Sequence, residues 1–541
     1  MKNWYKNAII YKLDVESFYD GNGDGIGDFN GLKKKLPHLA GLGIDCIWLL
    51  PFYPTPNRDN GYDIQDYYNI DPRLGTLGDF VDFVHRAGEY GMKVLIDLVI
   101  NHTSIEHPWF QESRKDPNGK FRDYYIWVKE PNRDHKEKVI FEGVEHSIWE
   151  YDKEAEAYYL HHFFKEQPDL NIANENVQNE ILKIMGFWLE LGIAGFRIDA
   201  AHILTETTEQ VHDEKESLHN ILNKIREFQI NRKSSAILMG EANVVPEKLK
   251  EYFGDKDRLQ LLFNFMANKN LFLSLAREEA EPLYKTFEQL LDVETAEWVN
   301  FIRHHDELNL EYLTDSERKE VFKAFAPDDN MKIFGHGIRR RLPPMLHGDK
   351  KRIALTYSLM FSLKGIPLIS YGEEIGMGDD LSLEGRTSVR TPMQWSDAKN
   401  GGFSTAKKEV LIHPVIDNGS YGYQKVNVMN QLSHPESLLN WMEKLIRTRK
   451  KCPEFGHGEW NLLKVDDKEI FACCAEHNEG TVICLHNLSY KPITTKIHNL
   501  KSEGKKFIDI FGDKVYKECG ENHEFELSGY GYRWIRVYDF S

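Results

Sequence analysis

The 541-residue chain lacks three features that would each have pointed to a particular class of protein. It has only six cysteines, and their spacing fits neither a disulfide framework nor a set of metal ligands. No apolar run is long enough to span a bilayer, and the first residues show no signal-peptide pattern. A positive net charge is also absent: acidic residues outnumber basic ones, 85 to 68, and the formal net charge of −17 argues against nucleic acids and anionic membranes as partners. We therefore expect a cytoplasmic protein with a neutral ligand, and the composition is compatible with a homo-oligomer.

The chain is instead rich in short apolar runs that alternate with helical patterns. Eight runs are typical of buried parallel strands, because they are nearly continuous in apolar residues. They cover residues 8–15, 45–50, 93–100, 195–199, 236–241, 260–265, 297–305 and 366–372. Eight such strands alternating with helices predict an α/β fold, the (β/α)8 TIM barrel.

Two segments interrupt or follow this alternation. Residues 103–171 are rich in aromatic and charged side chains, and a long insertion at the active face of a barrel is usually functional. From about Trp460 onward, short strands between turns predict an antiparallel β-sandwich. We therefore divide the chain into barrel segments 1–102 and 172–455, an inserted B domain at 103–171, and a C-terminal β-sandwich domain at 456–541.

Acidic residues stand at the ends of three predicted strands: Asp199, Glu241 and Asp306. Barrel enzymes place their catalytic groups at the C-terminal ends of their strands. Arg197 lies two residues before Asp199, so that both side chains point to the same side and the arginine keeps the carboxylate ionised. Taken alone this pair is better explained as structural. Together with a second carboxylate, it matches the pair about 5–5.5 Å apart that retaining glycoside cleavage requires.

Five short stretches, in this order, resemble the α-amylase family, glycoside hydrolase family 13. They are Asp97–His102, Gln167–Asn171, Gly195–His202, Gly240–Asn243 and His304–Asp306. Further stretches are most similar to the members of the family that interconvert maltose and trehalose. These are Trp48–Pro54, Gly337–Leu342, Gly376–Leu383 and Arg390–Trp395.

The resemblance implies a role for each matching residue. Asp199 would be the nucleophile, Glu241 the general acid and base, and Asp306 a ligand of the glucose 2- and 3-hydroxyls. The residues implied in substrate binding are Tyr62, Asp63, His102, Arg197, His305 and Arg390. Within this set Tyr62 would stack on the sugar, Asp63 would hold its far hydroxyls, and His102 would bond its O6. The substrate would be a small neutral α-glucoside, a disaccharide.

The segment from Asp20 to Asp28 alternates oxygen-bearing side chains with glycines, which is typical of a calcium loop. The expected ligands are the side chains of Asp20, Asn22, Asp24 and Asp28 and the carbonyl of Ile26. A solvated turn is the alternative, and Mg²⁺ could replace Ca²⁺. The family resemblance further implies a second calcium site at Asn101, Asp169 and Glu206. Both sites would be structural, and no organic cofactor is expected.

The chain departs from the maltose-converting members after Asp199. In place of their Pro-Tyr pair and a following Asn-Leu-Pro-Glu-Thr-His stretch, it has Ala201-His202 and an unrelated segment at 205–217. An exo-acting α-glucosidase that hydrolyses maltose, trehalose or related disaccharides is therefore the main alternative to an isomerase. A non-catalytic scaffold is disfavoured because all three acidic residues are present. An endo-acting amylase is disfavoured because Arg390–Trp395 resembles enzymes with a closed pocket.

Overall fold

The fold was analysed in a computed structural model that describes residues 3–131, 139–204, 216–290, 297–478, 480–498, 500, 505–517 and 524–539. Its centre is a closed barrel of eight parallel strands in the order β1-β14-β10-β9-β8-β7-β3-β2. The barrel strands are β1 (Ile10–Leu13), β2 (Cys46–Leu49), β3 (Lys93–Leu98), β7 (Gly195–Ile198), β8 (Ile237–Gly240), β9 (Leu261–Phe263), β10 (Glu297–Phe301) and β14 (Ile366–Ser370). The prediction of a (β/α)8 barrel is confirmed.

Both faces of the barrel sheet are buried, which explains the continuous apolar runs. Trp48, Met239 and Phe263 fill the interior together with their neighbours. Residues that alternate with them, such as Ile47 and Leu238, pack outward against the helices. Side chains from different strands thus form the layered interior of a filled barrel rather than a pore.

Helices surround the barrel, and their ends follow local sequence signals. Thr76 and Asp79 form a capping box at the start of the helix Leu77–Glu89, and Asp28 caps Phe29–Leu42. The α-helices are Val15–Phe18, Phe29–Leu42, Leu77–Glu89, Pro108–Lys115, Glu175–Glu190, Glu216–Arg232, Pro246–Phe253, Phe265–Arg277, Glu281–Gln289, Asp315–Phe325, Leu342–Met345, Lys350–Ser362, Val428–Leu432, Leu438–Lys450 and Glu454–His457. The predicted closing helix at 438–450 is confirmed.

Two long excursions leave the barrel at the C-terminal ends of its strands. The first follows β3 and contains an antiparallel sheet of β4 (Trp127–Val128), β6 (Ala157–Leu160) and β5 (Trp149–Asp152). The second follows β10 and contains β11 (Leu308–Asn309), β13 (Gly337–Ile338) and β12 (Lys332–Ile333). The limits that the sequence suggests for the inserted domain stay a prediction.

The C-terminal part forms two antiparallel sheets, as predicted. The larger has the order β15-β16-β17-β21-β19 and the smaller pairs β18 with β20. Their bounds are β15 (Glu459–Leu462), β16 (Ile470–His477), β17 (Gly480–Asn487), β18 (Ile493–Lys496), β19 (Lys505–Gly512), β20 (Glu524–Leu527) and β21 (Tyr532–Asp539). Along β16, Ile470 and Ala472 face the smaller sheet, whereas Phe471 and Cys473 join the main core with the barrel. The two-residue period of a strand thus buries both faces of the larger sheet.

The five cysteines that the structure describes are unpaired and buried. Cys46 lies on β2 with no exposed surface, as expected for a packed core thiol. Among the helices of the described residues, none has both the length and the apolar character required to cross a membrane.

Candidate active site

The barrel brings the three acidic residues together at one end. Asp199 follows β7 directly and Glu241 follows β8, the neighbouring strand. The Glu241 amide donates to the Ile198 carbonyl at 3.1 Å, and the Ala201 amide donates to the Glu241 carbonyl at 2.8 Å. These bonds continue the parallel ladder past the strand ends, so the barrel fixes the backbone below both carboxylates.

Arg197 is the charged centre of the site. Its Nη1 donates to Asp199 Oδ1 at 2.5 Å and to Asp97 Oδ1 at 2.8 Å, while Nη2 donates to Glu241 Oε2 at 2.5 Å. The side chain is almost fully buried, with 1% of its surface exposed. One guanidinium therefore contacts three carboxyl groups, and it holds Asp199 and Glu241 on its two terminal nitrogens. Arg197, which the resemblance implied in substrate binding, is not part of the cavity lining among the described residues and instead orients the carboxyls.

Asp306 approaches from the loop after β10 and is held by a separate group of cations and rings. Arg386 Nη1 and Arg390 Nη2 each lie 3.0 Å from its Oδ1. His305 Nε2 lies 3.2 Å from its Oδ2 and 2.8 Å from the Tyr62 hydroxyl. The Tyr62 and His305 rings stack at 5.3 Å with an interplanar angle of 3°. Asp306 is therefore fixed both by charge and by ring packing.

The surroundings push the pKa values of these carboxyls in different directions. Burial raises the pKa of Glu241. The positive charge of Arg197 acts to lower this pKa, and the nearby Asp199 raises it further. Burial also raises the pKa of Asp199, although the positive charge of Arg197 acts to lower it. Burial would raise the pKa of Asp306 as well, but Arg386 and His305 hold it well below its usual range. A raised pKa at Glu241 and a lowered pKa at Asp306 are the division of roles expected of an acid catalyst and a charge stabiliser.

These groups face a cavity of about 350 Å³. Asp199, Glu241, Asp306, Tyr62, His102 and His305 all line it. Burial lowers the pKa of His102 to about 4, so its ring is neutral near pH 7 and offers one donor and one acceptor. Tyr62 adds an apolar ring face. The cavity thus combines an aromatic wall, neutral hydrogen-bonding rings and three carboxyls, which suits a polyhydroxylated ring.

The position of Asp63 does not agree with the prediction that its carboxylate holds the far hydroxyls of the sugar. The Asp63 carboxylate accepts hydrogen bonds from the Thr55 hydroxyl at 2.8 Å and from the Arg58 amide at 3.1 Å, so it stabilises its own loop. Asp59, four residues earlier in that loop, lines the cavity instead. Burial raises the pKa of Asp59 to about 6. No sequence signal distinguished these two aspartates, because the turn between them decides which one faces inward.

The prediction for Arg390 needs a similar correction, because Arg386 takes the place expected of it. Arg390 donates from Nε to the His305 carbonyl at 2.9 Å and supports Asp306, but among the described residues it is not part of the cavity lining. Arg386 lines the cavity and contacts both Asp306 and Glu307. The predicted sugar contact of Arg390 is therefore replaced by a supporting role, and Arg386 is a site residue that sequence reasoning missed. Asn243 and Glu311 are two more lining residues that were not anticipated.

The predicted calcium loop is a compact turn rich in oxygen atoms. Asp20 accepts amide hydrogen bonds from Asn22, Gly23 and Gly25, and Asp24 accepts one from Ile26. Asp28 accepts from the amides of Gly21 and Gly31. Asp20 also accepts from the Ser404 hydroxyl at 2.5 Å, so its acceptor sites are all used, whereas Asp24 and Asp28 each use only part of their acceptor capacity. The side chains that could bind a metal ion in this loop all offer hard oxygen atoms as ligands, which fit Ca²⁺ or Mg²⁺.

Two of the residues predicted to form a second calcium site, Asn101 and Asp169, lie in contact with each other. Asp169 has no exposed surface, and its carboxylate contacts His162 Nδ1 and accepts the Asn101 side-chain amide at 3.2 Å. His162 in turn lines the cavity. The structure thus brings Asn101 and Asp169 together, and the second calcium site stays a prediction. Glu206, the third residue of the prediction, lies outside the described residues.

Comparison with known proteins agrees with this geometry. Residues 12–458 match the family model described as the alpha amylase catalytic domain, and residues 480–536 match the sucrose hydrolase-like C-terminal domain. The trehalose synthase of a Pimelobacter species is 39% identical over 99% of this chain and 96% of its own length. The trehalose synthase of Thermus thermophilus is 41% identical over 98% of this chain, which spans 55% of that relative. The crystal structure of Bacillus licheniformis trehalose-6-phosphate hydrolase is similar with a TM-score of 0.79 at 25% identity, covering 99% of this chain and 100% of its own.

The charge balance at Arg197 predicts a pH-dependent loss of stability in Arg197→Met. Removal of the cation leaves Asp97, Asp199 and Glu241 buried without a counter-charge, which should destabilise the fold by about 3–5 kcal/mol at pH 8. The penalty applies to ionised carboxylates, so it should shrink as they become protonated towards pH 5. Thermal unfolding of both proteins between pH 5 and 8 measures this difference. Arg86→Met is the control, because Arg86 makes an exposed pair with Asp82, and an equal, pH-independent loss in both variants would contradict the prediction.

Proposed function

The chain belongs to the α-amylase family, glycoside hydrolase family 13, and from this we propose that it is an enzyme that interconverts maltose and trehalose. The observation that carries the proposal is that the buried Arg197 side chain contacts the carboxyls of both Asp199 and Glu241, which line the cavity. Relatives named trehalose synthase, at about 40% identity along nearly the whole chain, support this substrate pair. The reaction is an intramolecular α-glucosyl transfer that retains the anomeric configuration.

In the first half-reaction an Asp199 carboxylate oxygen attacks the anomeric carbon of the bound disaccharide. Glu241 donates its proton to the glycosidic oxygen as the bond to the leaving glucose breaks. Arg197 supports this step by holding both groups, and the raised pKa of Glu241 keeps the proton available. The product is a covalent glucosyl-aspartate and a free glucose that remains in the cavity.

In the second half-reaction a hydroxyl of the retained glucose attacks the anomeric carbon. The Glu241 carboxylate takes the hydroxyl proton, the bond to Asp199 breaks, and trehalose or maltose is released. Asp306 is held ionised beside the sugar ring, where its charge stabilises the oxocarbenium-like transition state. Asp59, Tyr62 and His102 line the cavity around the glucosyl group. No step requires a metal ion or an organic cofactor.

Hydrolysis is the second candidate function, and it uses the same covalent intermediate. The observation in its favour is the sequence after Leu204, which differs from that expected of maltose-converting enzymes; residues 205–215 lie outside the described part of the structure. If water reaches the glucosyl-aspartate before the glucose hydroxyl, the enzyme is an α-glucosidase. The two functions therefore differ in the acceptor and share the residues that form the intermediate.

Product analysis separates the two functions. Incubation with maltose should yield trehalose, and incubation with trehalose should yield maltose, with glucose as a minor product in both. The Asp199→Asn variant, which lacks the nucleophile, serves as the control and should form neither product. Quantification of the three sugars over time is the measurement. Glucose as the main product would replace the isomerase by the hydrolase, and near-normal turnover by Asp199→Asn would refute the proposed nucleophile.

A test of Glu241 uses the pH dependence of the reaction. The general acid must be protonated, so kcat/KM should fall as the pH rises through the raised pKa of Glu241. In Glu241→Gln, kcat/KM for maltose should drop by about 10²–10⁴-fold and the alkaline decline should disappear. A 4-nitrophenyl α-glucoside needs little protonation of its leaving group, so the initial burst of nitrophenol should be largely retained. An equal loss with both substrates would argue against an acid role.

We also propose that the loop from Asp20 to Asp28 binds a structural Ca²⁺, for which Mg²⁺ could substitute. The support is the set of oxygen ligands at Asp20, Asn22 and Asp24 in one turn.

The buried, unpaired cysteines of the described residues are compatible with the reducing cytoplasm to which we assign the chain.

Removal of the ion tests this site. Ca²⁺ at about 100 times its dissociation constant should stabilise the fold by about 2.7 kcal/mol, because the ion binds only the folded chain. The Tm should therefore fall in a chelator and recover when Ca²⁺ is restored. In Asp24→Ala this dependence should be lost, whereas it should persist in Asp329→Ala, which removes an exposed aspartate elsewhere. A Tm of the wild-type protein that does not respond to Ca²⁺ or Mg²⁺ would refute the proposal.

A further inference from the structure

A buried lysine supports one wall of the cavity from outside. Lys269 lies in the helix Phe265–Arg277, which follows β9, and 3% of its surface is exposed. Among the residues that the structure describes, it does not belong to the lining of the cavity. A buried lysine needs hydrogen-bond partners, because its loss of hydration is otherwise uncompensated. The partners of Lys269 therefore show what its side chain holds in place.

Three partners of Lys269 are residues that line the cavity. Nζ donates to Asn243 Oδ1 at 3.0 Å and to the Glu311 backbone carbonyl at 2.6 Å. It also lies 4.9 Å from the centroid of the Tyr312 ring, within the range of cation–π attraction. One side chain thus joins the segment after β8 to the segment that begins at Glu311.

The two segments also contact each other. Asn243 Nδ2 donates to Glu311 Oε2 at 3.3 Å, so the side-chain amide of Asn243 is held at its oxygen by Lys269 and at its nitrogen by Glu311. Tyr312 has a φ of 68°, an uncommon conformation for a residue other than glycine. The carbonyl that Lys269 binds belongs to the peptide that enters Tyr312, so this bond stabilises the strained backbone.

This wall lies beside the acceptor glucose. Asn243 comes two residues after Glu241, whose carboxyl must meet the oxygen that joins the two sugars. The loops after β2 and β3 supply Asp59, Tyr62 and His102 around the glucosyl group. In the closed barrel, β8, β9 and β10 lie across from β2 and β3. The wall that the lysine supports therefore faces the glucose that is released and then attacks.

We propose that Lys269 is a positioning residue that orients the acceptor glucose through Asn243, Glu311 and Tyr312. The inference rests on the proposed function and adds a residue that acts in the second half-reaction. Asn243 and Glu311 offer polar atoms to the hydroxyls of this glucose, and Lys269 keeps those atoms at fixed positions. Water needs no such orientation, so the lysine favours transfer to glucose over hydrolysis.

The test uses α-glucosyl fluoride, because its leaving group is a fluoride ion and the acceptor side stays free. Asp199 bonds to the anomeric carbon as fluoride departs. Added glucose then competes with water: the acceptor oxygen bonds to the anomeric carbon, the ester bond to Asp199 breaks, and the acceptor proton passes to Glu241. The assay is run at about pH 6, because burial lowers the pKa of Lys269 to about 7 and the charged form carries three donors.

In Lys269→Met the KM for added glucose should rise about 10- to 100-fold, the range for a hydrogen bond to a charged group. The kcat/KM for fluoride release without added glucose should be unchanged, because the glucosyl site does not depend on Lys269. A purely structural lysine would not separate these two values. Lys269→Gln keeps a side-chain amide that can donate, so it should show a smaller rise, and it replaces the methionine variant if that variant does not fold.

Lys233→Met is the matched control. Lys233 Nζ donates to the Gly192 and Ile193 carbonyls at 3.1 and 2.7 Å, and among the described residues neither lines the cavity. This variant loses the same kind of bond away from the site, so its KM for added glucose should equal that of the wild type.

A double variant asks whether Lys269 acts through Asn243. Asn243→Ala should itself raise the KM for added glucose, and Lys269→Met should then have a smaller effect than in the wild-type background. Full additivity would overturn the proposed role, as would an unchanged KM in both Lys269 variants. Failure of the proposed function gives a different result, since the wild-type protein would then transfer nothing to added glucose, and the inference would fall with it.

Discussion

The buried ion cluster around Arg197 is the interaction on which the site depends. Three carboxyls converge on this arginine: Asp97 is fully buried, whereas Asp199 and Glu241 border the cavity. Buried charges of one sign are stable only when they are paired and hydrogen-bonded, so the guanidinium is required for the fold as well as for chemistry. It also sets the mutual position of the nucleophile and the acid, because both are bound to the same planar group.

The second group, around Asp306, is built differently. Its cations come from loops and not from barrel strands, and its rings, those of Tyr62 and His305, arrive from two more connections. The barrel therefore supplies a rigid pair of carboxylates, and the loops supply a third carboxylate together with the walls of the cavity. Enzymes on this fold vary their loops to vary their chemistry, and here the acceptor would be chosen in the loops.

The contacts of Arg386 connect a carboxylate of the site with the loops that form the walls of the cavity. A single side chain touches the carboxylate that faces the sugar and the rings that cover it. Isomerisation demands more than hydrolysis, because a released glucose must remain and turn while water stays outside. Arg386 contacts both the Asp306 carboxylate and the rings of Phe141 and Phe334, so the position of this carboxylate depends on the loops around the cavity.

The sequence by itself determined the barrel, the β-sandwich and the three acidic positions. Parallel strands buried on both faces appear as continuous apolar runs, and a polar residue directly after such a run must lie at the strand end. Asp199 and Glu241 are fixed in this way, since each directly follows its strand.

Only the tertiary structure decided between residues of the same type in one loop. Asp59 faces the cavity and Asp63 does not. The turn between them has positive φ at Asn60 and Gly61 and changes the direction of the chain, and the Thr55 hydroxyl donates to the Asp63 carboxylate. Arg386 lines the cavity while Arg390 supports Asp306 from behind. Neither periodicity nor spacing encodes these choices, since loop side chains take their directions from contacts with segments distant in the sequence.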